Sequence, residues 1–208
     1  MIDWSETQRE SAKRQRREAI LAAAEALIRA RASTDFSMQA LADAAGLSLA
    51  TTYNLIGPKS TVLYALLNVR ADAISDVRAR LSGQRNPQSL VKAAARFAVR
   101  QFAGDPEFYR PLMRHLLGVP DPLHHTAFMA RGLEYWRGVA ALLGEQGQLR
   151  SDAHVEELAR FAHVYFTGAL DMWLHEEYDE PRFFGELERY LSLLLLPEAS
   201  RPVPAIRQ

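Results

Sequence analysis

The 208-residue chain contains no cysteine, which excludes disulfide bridges and thiolate-held metal sites and fits a reducing, cytoplasmic setting. It has no net charge, with 25 Lys and Arg against 25 Asp and Glu, and that total taken alone argues against a nucleic-acid binder. It has no uninterrupted apolar run of the roughly 18 residues that a membrane span takes, and its opening stretch, MIDWSETQRESAKRQRRE, is polar where a signal peptide needs an apolar core. A membrane partner is therefore not expected. No segment alternates apolar and polar residues between turn signals, so strands are not expected either. Also missing are a Gly-rich phosphate loop, a recognisable Ser/His/Asp grouping and a metal-ligand spacing; His115, His124 and His125 lack carboxylates on a shared helix face. The chain reads as a non-enzyme with no cofactor.

What is present is helical. Apolar and Ala-rich stretches recur at helical spacing between Gly and Pro punctuation, which predicts an all-α chain of about nine helices. The first is expected over 11–31, with Ile20, Ala23, Leu27 and Ile28 as its apolar stripe. Ser37 suits the N-cap of a second helix bearing Met38, Leu41, Ala42 and Ala45, which Gly46 ends. Ser48 suits the cap of a short third helix to about Leu55, and after Gly57-Pro58 a fourth runs from Lys59 toward Arg80. Gly83 to Pro87 read as a hinge, further helices are delimited at 104–106, 120–122 and 147–152, and Pro111 is a candidate kink. The last two helices, about 153–178 and 180–196, are the most apolar. The expected organisation is an N-terminal domain over 1–60, a connecting helix over 61–82, a second helical domain over 83–196 and a frayed tail over 197–208.

The charge is unevenly distributed. Residues 1–104 hold 15 Lys and Arg against 9 Asp and Glu, while 105–208 hold 10 against 16, which directs an anionic partner to the first half. There, helix, Gly-containing turn and short helix form the helix-turn-helix pattern, whose second helix enters the major groove. From Arg17 to Leu66 the stretch resembles, without gaps, the DNA-binding domain of the tetracycline-repressor (TetR) family. The resemblance rests on Ala42, Ala45-Gly46-Leu47-Ser48, Thr51, Tyr53 and Lys59, followed by Leu63 and Leu66. Beyond Gly83 it extends only to length and helical character. The chain departs from the family at Ala32, where Gly usually ends the first helix, so that turn must be made by 33–35 or with another geometry. Thr52 replaces a usual Leu, Leu55 and Ile56 replace frequent aromatics, and Leu49 replaces a frequently polar base-reading residue.

Affinity for duplex DNA comes mostly from phosphate contacts and sequence information from base edges, so a reading helix can itself be uncharged. The charge is expected around it, in the arm over 9–17 with Lys13, Arg14, Arg16 and Arg17, and at Lys59. The helix N-termini at Ser37 and Ser48 add free N–H groups. The resemblance implies that Thr51 and Tyr53 donate to phosphate. Leu49 and Ala50 suit thymine methyls, and Gln39 and Asn54 carry amides that suit adenine.

A single reading helix implies a symmetric dimer. In the penultimate helix Phe161, Tyr165, Phe166 and Trp173, and in the last Phe184, Leu187, Leu191 and Leu194, offer more apolar surface than one internal contact needs, and the family packs these helices as a four-helix bundle. Candidate effector-pocket residues are Phe97, Phe102, Tyr109, Met113, Phe128 and Trp136, with the polar series His163, Thr167 and Asp171, which suits either a ligand or the dimer seam. The expected function is a one-component regulator, a homodimeric repressor of a palindromic operator released by a small-molecule effector. The alternative is a helical carrier or enzyme that keeps a helix-turn-helix as scaffold.

Overall fold

The computed structural model describes residues 4–71, 77–81, 83–84, 86–119, 121–147, 149, 154–193 and 195. They form ten helices: α1 (Trp4–Arg31), α2 (Met38–Ala44), α3 (Leu49–Ile56), α4 (Lys59–Ala71), α5 (Val77–Leu81), α6 (Pro87–Ala103), α7 (Pro106–Gly118), α8 (Pro122–Glu145), α9 (Val155–Leu174) and α10 (Glu180–Leu193). Among the described residues there is no strand, only an isolated bridge between Leu149 and Leu195. The first helix begins seven residues before the expected start at residue 11, because its polar opening contains no helix breaker. The tail over 197–208 and Leu194 lie outside the described residues.

The chain divides into two compact units, and the division is not linear in sequence. The first comprises Met1–Asp72 and Asp105–Phe128, the second Ala73–Gly104 and Met129–Gln208. The expected boundary near residue 60 thus differs from the contact pattern, in which α7 joins the N-terminal helices. In the first unit α1 packs on α2, α3, α4 and α7. Ile20, Ala24 and Ile28 of α1 meet a shared core with Leu41, Ala42, Ile56, Val62 and Leu63, all buried. Each Ile or Leu fully buried this way stabilises by about 1.5–3 kcal/mol relative to leaving it exposed.

A long-range fork explains why α7 belongs here. The Arg29 guanidinium donates to both Asp105 carboxylate oxygens at 2.6 and 2.9 Å and to Glu25 Oε1 at 2.8 Å, and lies over the Phe108 ring at 5.2 Å. Asp105 and Glu25 hold the Arg29 guanidinium protonated well above even its ordinary range. Pro111 is accommodated inside α7. In the second unit α6 packs on α10 and α10 on α9, around Phe102, Trp136, Phe166, Trp173 and Phe183. Asn86 caps α6 by accepting from the Gln88 and Ser89 N–H groups, with Pro87 in the first turn where its missing N–H costs nothing.

Candidate nucleic-acid interface

The turn between α2 and α3 follows from local chemistry. The Leu47 N–H donates to the Ala42 carbonyl at 2.9 Å and the Gly46 N–H to the Asp43 carbonyl at 3.1 Å. This paired closure requires a left-handed residue between helix and loop, and Gly46 supplies it at φ 67°. The Ser37 hydroxyl accepts from the Ala40 N–H at 3.0 Å and the Ser48 hydroxyl from the Thr51 N–H at 3.1 Å, so both helix starts are capped as expected. At the end of α1 the turn is made by Ala32 itself, at φ 46°, and not by the residues after it alone. The Ser33 N–H reaches back to the Ile28 carbonyl at 3.4 Å, the same closure Gly46 supports, here carried by a residue with a Cβ.

Helix α3 has two faces. Thr52 and Ile56 point inward; Thr52 is fully buried and its hydroxyl donates to the Ser48 carbonyl at 3.1 Å, which satisfies the one polar group that replaces a usual Leu. Outward lie Leu49, Ala50, Tyr53 and Asn54, with Leu49 36% and Tyr53 46% exposed. A face that leaves Leu and Tyr in water without a single charge is unusual for a solvated helix, and it matches what base edges and thymine methyls present in a major groove. Thr51 is half-buried and its hydroxyl lies 2.8 Å from that of Ser48.

The flanks carry the charge. Lys13, Arg14, Arg16 and Arg17 are exposed along α1. Two of them have acidic neighbours on their own helix, Lys13 with Glu10 and Arg14 with Glu18, each at 3.9 Å and solvent-exposed, the kind of pair that contributes little. Lys59 opens α4 with its ammonium 4.8 Å from the Phe36 ring centroid, and burial lowers its pKa against the opposing field of Asp35. Gln39 is exposed on α2, where its amide donates to Asp43 at 2.7 Å, so it must exchange that bond to reach a base.

The residues assigned to the effector pocket are divided between the two compact units. Tyr109 and Met113 are core residues of the first unit, and the half-buried Phe128 also belongs to it. Phe102 and Trp136 are core rings of the second, each beside Phe166. Phe97 does line a cavity of about 310 Å³, together with Val77, Arg80, Leu81, Ala93 and Tyr135. His163, Thr167 and Asp171 do not share a face as expected. Eight residues of helix turn by about 80° beyond whole turns, so the series rotates outward. The His163 nitrogens are buried without partners against Gly132, the Thr167 hydroxyl donates to the His163 carbonyl, and Asp171 is 54% exposed beside His175.

Of the expected dimer residues, Phe166, Trp173, Leu187 and Leu191 are buried inside the chain's own second unit, where α10 packs on α6 and α9. Tyr165 and Phe184 are half-buried, Tyr165 stacked on Tyr190 at 3.9 Å and Phe184 under Arg96. What stays exposed is a row on α9 at helical spacing: Phe161 at 51%, Val164 at 69%, Gly168 and Met172 at 39%. That i, i+3, i+7, i+11 row was visible in the sequence, but only the fold separates it from the stripe facing α10.

An exposed, uncharged helix held by a capped glycine turn, on an all-α body, defines a helix-turn-helix protein. No protein-family model and no curated protein matches the chain. Solved structures do. FadR of Thermus thermophilus, a TetR-family transcriptional repressor in complex with lauroyl-CoA, is 25% identical, with 92% of this chain and 100% of that one covered at a TM-score of 0.67. NalD of Pseudomonas aeruginosa, the secondary repressor of the MexAB-OprM multidrug efflux pump, is 19% identical over 90% and 98% at 0.67. A TetR transcription regulator from Haloarcula marismortui is 18% identical over 88% and 99% at 0.68. In fold, the chain is similar to these TetR-family transcriptional regulators over almost its whole length.

Proposed function

We propose that the chain is a transcriptional repressor that acts as a homodimer on a two-fold symmetric operator and leaves it when a small molecule binds its second unit. The observation that carries this reading is the outward face of α3, where Leu49, Ala50, Tyr53 and Asn54 stand in water, flanked by two capped helix N-termini and by Lys59. The division of labour is physical. N–H groups, Thr51, Tyr53, Lys59 and the basic arm hold phosphates, whereas the α3 face sorts bases by methyl contact and by the Asn54 amide. Half-sites spaced by one turn of duplex call for two reading helices, and the exposed row Phe161, Val164, Gly168 and Met172 supports pairing through α9. Gly168 has open space where a Cβ would stand, so a partner helix can approach closely there.

Effector release requires only that the ligand bind the DNA-incompetent arrangement better than the competent one. FadR's capture with lauroyl-CoA supports a ligand-binding role for this fold. The reading is tested by fluorescence anisotropy with duplexes from the region upstream of the chain's own coding sequence. Saturable binding to one segment, weakening steeply with salt and surviving excess unrelated duplex, is expected. Equal affinity for every duplex would refute it.

A further inference from the structure

We propose that the cavity of the second unit binds a small organic monocarboxylate: a compact apolar body with one anionic end. This deepens the effector reading and rests on it for its regulatory meaning, while the binding itself stands on the cavity. The space of about 310 Å³ holds on the order of ten waters at about 30 Å³ each, the low end for ligand sites. Its walls come from three helices of the same unit, with Val77, Arg80 and Leu81 on α5, Ala93 and Phe97 on α6, and Tyr135 on α8. Ala93 and Phe97 lie one turn apart, and the small Ala93 leaves the room that a larger residue would fill.

The wall chemistry narrows the ligand. The Phe97 and Tyr135 rings stack at 5.8 Å and 22°, an apolar flank suited to a flat or aliphatic body. The Tyr135 hydroxyl is not available, because it is buried and donates to the Ala94 carbonyl at 2.7 Å. A sugar, polyol or nucleoside placed here would lose water from several hydroxyls, and among the described lining residues only Arg80 could replace any of it. Among the described lining residues the one charged side chain is Arg80, exposed, with its guanidinium 5.0 Å from the Phe97 centroid. Its planar fork is permanently charged and matches a carboxylate in two parallel hydrogen bonds, and it repels an amine at the same place.

Isothermal titration of the full chain, without DNA, tests the assignment with phenylacetate, cinnamate and octanoate, each beside its primary amide, and with phenethylamine. At least one carboxylate should bind, roughly tenfold tighter than its amide, as a charge-assisted pair implies. Arg80→Gln should bring acid and amide to parity while leaving the amide affinity in place, and Ala93→Leu should weaken both. Arg80 is exposed, so its replacement does not threaten the core. An amide as tight as its acid, a tighter amine, a preference that survives Arg80→Gln, or no binding by any acid would overturn the assignment. Acid binding that leaves operator affinity unchanged would uphold the site and refute the effector role. Operator binding without acid binding would refute the site and leave the repressor reading standing.

Discussion

Exchanging alanine and glycine at two turns that close in the same way should change stability in opposite directions. Ala32 stands at φ 46° after α1, and Gly46 at φ 67° after α2, each beneath an N–H that reaches back five residues to close its helix. An L-residue in the left-handed region costs roughly 1–2 kcal/mol through crowding of its Cβ against the following carbonyl. Glycine escapes that cost but surrenders about 0.4–1 kcal/mol by loosening the unfolded chain. Ala32 is exposed, so its methyl buries nothing, and Gly46 has no atom within 4 Å of where a Cβ would stand. The backbone term is therefore isolated at both positions. Ala32→Gly should stabilise by about 0.5–1 kcal/mol and Gly46→Ala destabilise by a similar amount, shifts of about 1–4 °C in opposite senses for a chain of this size. Thermal melts followed by circular dichroism, with urea titration as a second probe, read both. Shifts of the same sign, or an Ala32→Gly protein that melts lower, would refute the reasoning.

Lys59→Ala should weaken specific and random duplexes about equally and lower the slope of log affinity against log salt by about one, which anisotropy at several salt concentrations measures. Val164→Lys should leave helicity intact yet convert a dimer to a monomer in analytical ultracentrifugation, because Val164 is 69% exposed in the single chain and its loss opens no core cavity. Burial lowers the His163 pKa below its ordinary 6.5, so the unfolded chain takes up this proton first. Its contribution to stability is then present above pH 6.5 and lost as pH falls from there toward the folded value; melting between pH 7 and 5 should fall less steeply in His163→Leu than in the unsubstituted protein.

The parts of this molecule legible in the sequence are those set by neighbours along the chain. Ser37, Gly46, Ser48 and Lys59 announce caps, a left-handed turn and a helix start within a few residues of each other, and the structure places each in that role. Ala32 was not legible, because nothing local says that an alanine will accept the strain a glycine avoids. Nor was the place of α7, since Arg29 and Asp105 are 76 residues apart and only tertiary contact joins them. Trp173, Leu187 and Leu191 show a further limit: apolar spacing reports that a side chain will be buried, not whether its own chain or a second copy will cover it. Most of the cavity was illegible for the same reason, as Val77, Arg80, Leu81 and Ala93 join Phe97 in one wall only when α5 and α6 meet.

Selection of bound duplexes from a random pool, carried out with the unsubstituted protein and with Asn54→Ala, tests the role of α3 most directly. The selected sequences should be near-palindromic, with half-site centres about 34–36 Å apart or a small multiple of that. In Asn54→Ala one symmetric pair of A·T positions should lose its preference, by about 1–3 kcal/mol in a base-pair substitution series, while the remaining positions keep theirs. Selected sequences without two-fold symmetry, or a pool that the two proteins enrich identically, would contradict the placement of α3 in the groove.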